Sequence, residues 1–134
     1  MAIPSLELQK ALVKTLGIST YKVYEVVPAT AVMPFITIGE EMLLTDDTKT
    51  NERYQINFFI HSWTKGNSSV TSKTLNDFIL NRLLKNPLVI DGFFCDSVTL
   101  EMFNSQREVD ESTSQEIFHG IFEFSFQLSI KEVI

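Results

Sequence analysis

The hydrophobic positions switch repeatedly between helical and strand spacing, and the switches mark out the elements. Wound at roughly 100° per residue, Leu8, Ala11, Leu12, Thr15 and Leu16 fall within an arc of about 140°, which predicts a helix over residues 6–16 with one inward face. Pro4 and Ser5 stand at its start, with Ser5 placed to accept an orphan backbone N–H. Glu7 lies near the positive end of the helix dipole and Lys14 near the negative end, and Gly17 supplies the stop. Leu6 and Val13 fall together on the opposite side, either as incidental surface or as a contact with a partner.

Two runs rich in β-branched and aromatic residues follow, 21–27 and 35–44, separated by Pro28 and Pro34, and both read as strands. Residues 53–63 alternate, with Tyr54, Ile56, Phe58 and Ile60 on one face and Gln55, Asn57, Phe59 and His61 on the other. The polar stretch 45–52 joins the second and third strands, so a long hairpin with a mobile tip is expected there.

Helical spacing returns from 68 to 85. Ser68 or Ser69 is the cap, Leu75, Phe78, Ile79 and Leu83 share one arc, and Asn86-Pro87 ends the run. The last third reads as two strands. In 94–103, Phe94, Val98, Leu100 and Met102 fall on one side, a row interrupted by Asp96. In 118–130, Phe118, Phe122, Phe124, Phe126, Leu128 and Ile130 alternate with His119, Ile121, Glu123, Ser125, Gln127 and Ser129, the pattern of a strand central in its sheet. Residues 104–116 read as an exposed polar connection. The expected fold is α+β, an antiparallel sheet with two helices in the order α-β-β-β-α-β-β.

Length and charge narrow the function. The 134 residues suit a single domain over 1–134, with no repeat and no visible boundary. No apolar run approaches the roughly 20 residues of a membrane span, and the first residues lack the basic and apolar regions of a signal peptide. The expectation is synthesis in a reducing cytoplasm without membrane contact, consistent with a single cysteine, Cys95. The net charge of -6 disfavours long-range attraction to nucleic-acid phosphates. Acidic residues concentrate in two places: from Asp91 onward, where nine face only Arg107 and Lys131, and at Glu40, Glu41, Asp46, Asp47 and Glu52, relieved by Lys49 and Arg53. These are either solvated loops or an acidic interaction rim.

Candidate chemistry is sparse. A thiol nucleophile with an imidazole base requires Cys95 with His61 or His119, but no local motif surrounds them. The same three residues lack the close spacing of structural zinc ligands, and Asp46, Asp47, Asn51 and Glu52 lack the alternation of a calcium loop. The five glycines are scattered singly, so no phosphate-binding loop can be built. Lys73 and Arg82 face opposite ways on their helix and form no basic stripe. Trp63, beside a turn, is either a lid on the core or an interface anchor. The residues point to no enzyme, cofactor or metal.

The order of short motifs carries a resemblance. Val23-Tyr24, Val27-Pro28 and Pro34-Phe35-Ile36-Thr37-Ile38-Gly39 are followed by His61-Ser62-Trp63, Leu83-Leu84, Pro87-Leu88, Asp91-Gly92, His119-Gly120 and Phe122-x-Phe124. Over nearly its whole length the chain resembles the tail completion or tail-to-head joining proteins of long-tailed, non-contractile bacteriophages, and is most similar to that of a Bacillus phage. The resemblance implies an α+β fold and a late structural protein of the virion that forms a ring of six between the head connector and the tail tube. The subunits are expected to be monomeric when free, because a ring formed too early would misassemble, and DNA is expected to pass through the lumen without specific binding. On loop length and charge, the expected contacts with neighbouring subunits or the head and tail rings are Glu40, Glu41, Asp46, Asp47, Lys49, Glu52 and Arg53 on the hairpin tip, and Arg107, Asp110 and Glu111 in the later connection. Two other roles compete: a terminator that caps the tail tube, and a small cytosolic binding module unrelated to phage.

Overall fold

The computed structural model describes residues 4–17, 20–46 and 53–131. The element order is α1 (Pro4–Leu16), β1 (Lys22–Tyr24), β2 (Phe35–Asp46), β3 (Arg53–Gly66), α2 (Val70–Leu84), β4 (Phe93–Val109) and β5 (Glu116–Ile130). The α-β-β-β-α-β-β order read from periodicity is the order observed. The strands form one sheet, β1-β2-β3-β5-β4, in which β1 runs parallel to β2 and every other pair is antiparallel. The sheet is therefore mixed. The sequence run 21–27 contracts to three strand residues on the edge, because the proline-bounded loop after it carries the chain across to start β2 in the same direction.

Both helices cover one face of the sheet. Leu8, Ala11, Leu12 and Leu16 of α1 and Leu75, Ile79 and Leu83 of α2 join Ile36, Ile38, Ile56, Phe58, Ile60, Phe122, Phe124, Phe126 and Leu128 in one buried cluster. Full burial of a leucine, isoleucine or phenylalanine side chain contributes about 1.5–3 kcal/mol, so this cluster is what docks the helices. Leu6 and Val13 remain on the outer side of α1, as its periodicity predicts. α1 begins at Pro4, ahead of the Ser5 cap expected from sequence; a proline fits the first turn, where its missing N–H has no intrahelical partner to lose. At α2 the N-cap is Ser69, whose side chain makes no capping bond, while the Val70 N–H reaches the Ser68 hydroxyl at 3.5 Å. Near the α1 C-terminus, Arg82 Nε donates to the Thr15 carbonyl at 3.4 Å.

Two details of the inward faces differ from expectation. Phe78 is only partly buried, packed against Tyr21 at 5.2 Å between ring centroids, whereas the polar Ser72 and Asn76 are buried. The reason is the Ser62 hydroxyl beneath α2, which donates to Asn76 Oδ1 at 2.6 Å. In β4 the row Phe94, Val98, Leu100, Met102 does not hold. Register shifts at Cys95/Ser97 and Leu100/Met102 leave Asp96 and Glu101 as extra residues. Each bulge reverses the facing of the strand residues after it, so Cys95, Val98, Leu100 and Phe103 share the helix-covered face and Phe94 and Met102 turn to the other, 53% and 39% exposed. β3 and β5 keep their predicted alternation throughout and lie in the interior of the sheet. No described helix is long and apolar enough to cross a membrane.

Candidate functional site

The residues expected at an interface fall at opposite ends of the sheet. In the antiparallel β3–β5 pair Arg53 lies opposite Ser129 and Gly66 opposite Glu116. The described ends of β2 and β3 at Asp46 and Arg53 therefore lie at one end of the sheet and the β4–β5 turn at the other, roughly 40 Å away at about 3.3 Å per strand residue. Residues 104–116 are not a single connection: β4 continues to Val109 and β5 begins at Glu116, leaving a short turn. Of the hairpin residues, Asp47, Lys49 and Glu52 lie outside the described residues. Asp46 ends β2 opposite Arg53, and Glu41 and Arg53 are exposed. Met42, Leu43 and Leu44 next to them are exposed as well, with Met42 and Leu44 on the helix-free face and Leu43 on the other.

The turn at the other end is ordered by its own side chains. Asp110 pairs with Lys65 and accepts from the Ser112 N–H at 3.0 Å and the Ser112 hydroxyl at 2.7 Å. The hydrogen bonds from Lys65 first and Ser112 second hold its carboxyl well below the usual carboxylate range. Arg107 lies 3.6 Å from Glu116 and its guanidinium sits 5.0 Å above the Phe118 ring. Glu111 is exposed.

Glu40 belongs to neither end. It is the extra residue of a bulge in β2, between Gly39 and Glu41, with φ at 49°, a left-handed backbone that a side chain disfavours. The bulge brings its carboxylate to His61 Nε2 at 3.0 Å. His61 Nδ1 in turn meets His119 Nε2 at 2.7 Å. Trp63 stacks on His119 with ring centroids 3.7 Å apart and donates its indole N–H to Thr37 Oγ1 at 3.0 Å. Burial, and then the neighbouring His61, push the His119 pKa down, against the opposing pull of Glu108 and Glu40. Trp63 is thus not a lid on the helix-covered core; it lies on the opposite face of the sheet. Alternation alone assigns His61, Trp63 and His119 to the outward faces of their strands. Their contact depends on Trp63 pairing with His119 across β3 and β5, which no local pattern encodes.

The third member of the candidate nucleophilic group is elsewhere. Cys95 is on the helix-covered face opposite Leu128, separated by the sheet from both histidines. Burial, with the Asp96 charge adding to it, pushes its thiol pKa up to about 11, the reverse of what a thiolate nucleophile needs. Among the described residues no group of histidine, cysteine or acidic side chains could hold a metal ion.

Comparison with known proteins agrees with this architecture. The family model for tail completion protein gp17 matches residues 7–128. Two solved structures share the fold. One is a chain of the virion of a native gene transfer agent particle, with TM-score 0.66 and 15% identity, covering 92% of each chain. The other is the gp17 protein of bacteriophage SPP1, with TM-score 0.59 and 22% identity, covering 98% of this chain and 94% of that one. No curated sequence relative matches the chain.

Proposed function

The chain belongs to the tail completion protein gp17 family, and on that premise we propose that it is the structural virion protein that joins the finished tail to the DNA-filled head, acting as a ring at the head-to-tail interface. The observation that carries the proposal is the family match over residues 7–128. The SPP1 gp17 structure and the gene transfer agent virion chain, both alike in fold over nearly the full length, support a place in the particle.

The geometry adds a division of labour. A joining protein needs two contact surfaces facing opposite ways, and the hairpin arm and the Asp110 turn stand at opposite ends of the long β3–β5 pair. The hairpin, with its exposed Met42, Leu43 and Leu44 and with Glu41, Asp46, Asp47, Lys49, Glu52 and Arg53, takes one neighbour ring. Arg107, Asp110 and Glu111 take the other. The two neighbours are the head connector and the tail tube, and six copies make the ring, monomeric until a tail end nucleates them. DNA passes through the lumen without specific binding, in keeping with the net charge of -6.

Electron microscopy of lysates from a phage unable to make this protein tests the role. Filled heads beside separate tails of normal length are the expected result. Overlong tails would assign the chain to tail-tube termination instead, and complete infectious particles would overturn both. Reversing Asp46 and Asp47 to lysine in a chain that still folds should leave heads and tails unjoined, and unchanged phage yield would remove the hairpin from the contact.

A further inference from the structure

A cavity of about 290 Å³ opens on the helix-free face beside the β2 bulge, lined by Val27, Thr37, Gly39 and Ile38 and by four side chains with recognition chemistry: Glu25, Glu40, His61 and Trp63. We propose that this cavity receives an arginine side chain presented by a partner protein of opposite charge.

The lining has the two features a guanidinium needs. The first is an aromatic wall. Trp63 is fixed by its own bonds, with the indole N–H committed to Thr37 Oγ1 and one side stacked on His119. A guanidinium is flat and weakly hydrated, and it stacks on indole better than on any other side chain. The second is negative charge without a matching cation. Glu25 and Glu40 are both exposed at the rim, and no lysine or arginine lines the cavity among the described residues. One oxygen of Glu40 is occupied by His61 at 3.0 Å, which fixes the carboxylate in place, and the other makes no hydrogen bond among the described residues. Two carboxylates lining the same cavity as the indole can accept the several N–H groups of one arginine at once, whereas a lysine ammonium offers neither the flat face nor the fork.

The occupant is a different protein rather than a second copy. Of this chain's three arginines, Arg82 donates to the Thr15 carbonyl and Arg107 is held by Glu116 and Phe118. Arg53, exposed at the far end of β3, is the arginine a second copy could present, and the Arg53→Ala arm of the test below isolates it. A second copy also carries the same net charge of -6, so long-range electrostatics favour a basic partner. The inference concerns one cavity and does not depend on the joining role.

Trp63 is the chain's sole tryptophan, so its fluorescence reports on this cavity alone. The test titrates the isolated chain with the peptide acetyl-Gly-Arg-Gly-amide and, as control, the same peptide with citrulline, which keeps the shape and lacks the charge. The expected result is a saturable change in Trp63 emission with arginine at millimolar concentration and none with citrulline. Glu25→Gln and Glu40→Gln, shown folded by circular dichroism, should each weaken the response, and together by about tenfold or more. An absent response, or equal responses to both peptides, overturns the proposal. So does an emission change that appears on raising the concentration of the chain alone and vanishes in Arg53→Ala, which would make a second copy the occupant. Because the readout needs no ring and no particle, a failure here is separate from a failure to join heads to tails.

Discussion

His61 Nδ1 and His119 Nε2 lie 2.7 Å apart across the β3–β5 pair, a distance at which one ring donates and the other must accept. At least one of the two is therefore neutral, and the lowered pKa of the buried His119 makes it the ring that resists charging. In the unfolded chain the same ring titrates at its ordinary value of about 6.5. Below that value the unfolded state binds more protons than the folded one, so the contribution to stability is complete above about pH 6.5 and is lost as the pH falls through the lowered native value. Glu40 on the β2 bulge and Glu108 on β4 oppose the shift. Urea denaturation at a series of pH values between about 7.5 and 5 should show stability falling with acid, more steeply in the parent than in His119→Gln. Equal slopes would show that the pair does not report on folding.

Two buried polar groups should respond to mutation with opposite signs. Thr64 Oγ1 is buried with no partner among the described residues, so Thr64→Val removes an uncompensated hydroxyl and should stabilise the fold by about 1 kcal/mol. Asn76 accepts from Ser62, and Asn76→Ala strands that hydroxyl in the core at a cost of about 1–3 kcal/mol. Denaturant midpoints of the two variants against the parent check both.

Gly120 is required by space rather than by backbone conformation. A β-carbon there would overlap Ser62 Oγ and stand 2.8 Å from Asn76 Oδ1, so Gly120→Ala displaces the buried Ser62–Asn76 pair and should cost about 1–3 kcal/mol. Adding Ser62→Ala removes the worse overlap and should recover part of the loss, as read from thermal midpoints.

The Cys95 thiol should be nearly inert in the folded protein. With its pKa pushed up to about 11, only a small fraction is thiolate near pH 8. Alkylation by iodoacetamide at that pH should be at least tenfold slower in the native chain than in urea, and comparable rates would show that the thiol is not desolvated.

Much of the scaffold is legible in the sequence. Periods of 3.6 and 2 are local properties, so the inward face of α1 and the alternation of β3 and β5 follow from spacing alone. The absence of a catalytic motif likewise directs attention toward surfaces, and the order of the short motifs indicates the family. Phe78 and Asn76 depart from the spacing for a single reason: spacing equates polarity with exposure, whereas Asn76 is buried because Ser62 lies beneath it.

What spacing does not supply is everything that depends on which strand lies beside which. A bulge changes facing by one residue without altering composition, so Asp96 and Glu101 turn Phe94 and Met102 to the helix-free face, and Glu40 is brought to His61. The parallel β1–β2 pair and the placement of the hairpin and the Asp110 turn at opposite ends depend on pairing between distant segments. The cavity of Glu25, Glu40, His61 and Trp63 draws on separate strands and a loop. The elements and most of their buried faces are thus encoded locally, because a periodic apolar row selects its own inward side within a single helix or strand. Registers, bulges and the meeting of side chains arise only in the folded chain, because hydrogen bonds and packing between residues far apart in sequence set them.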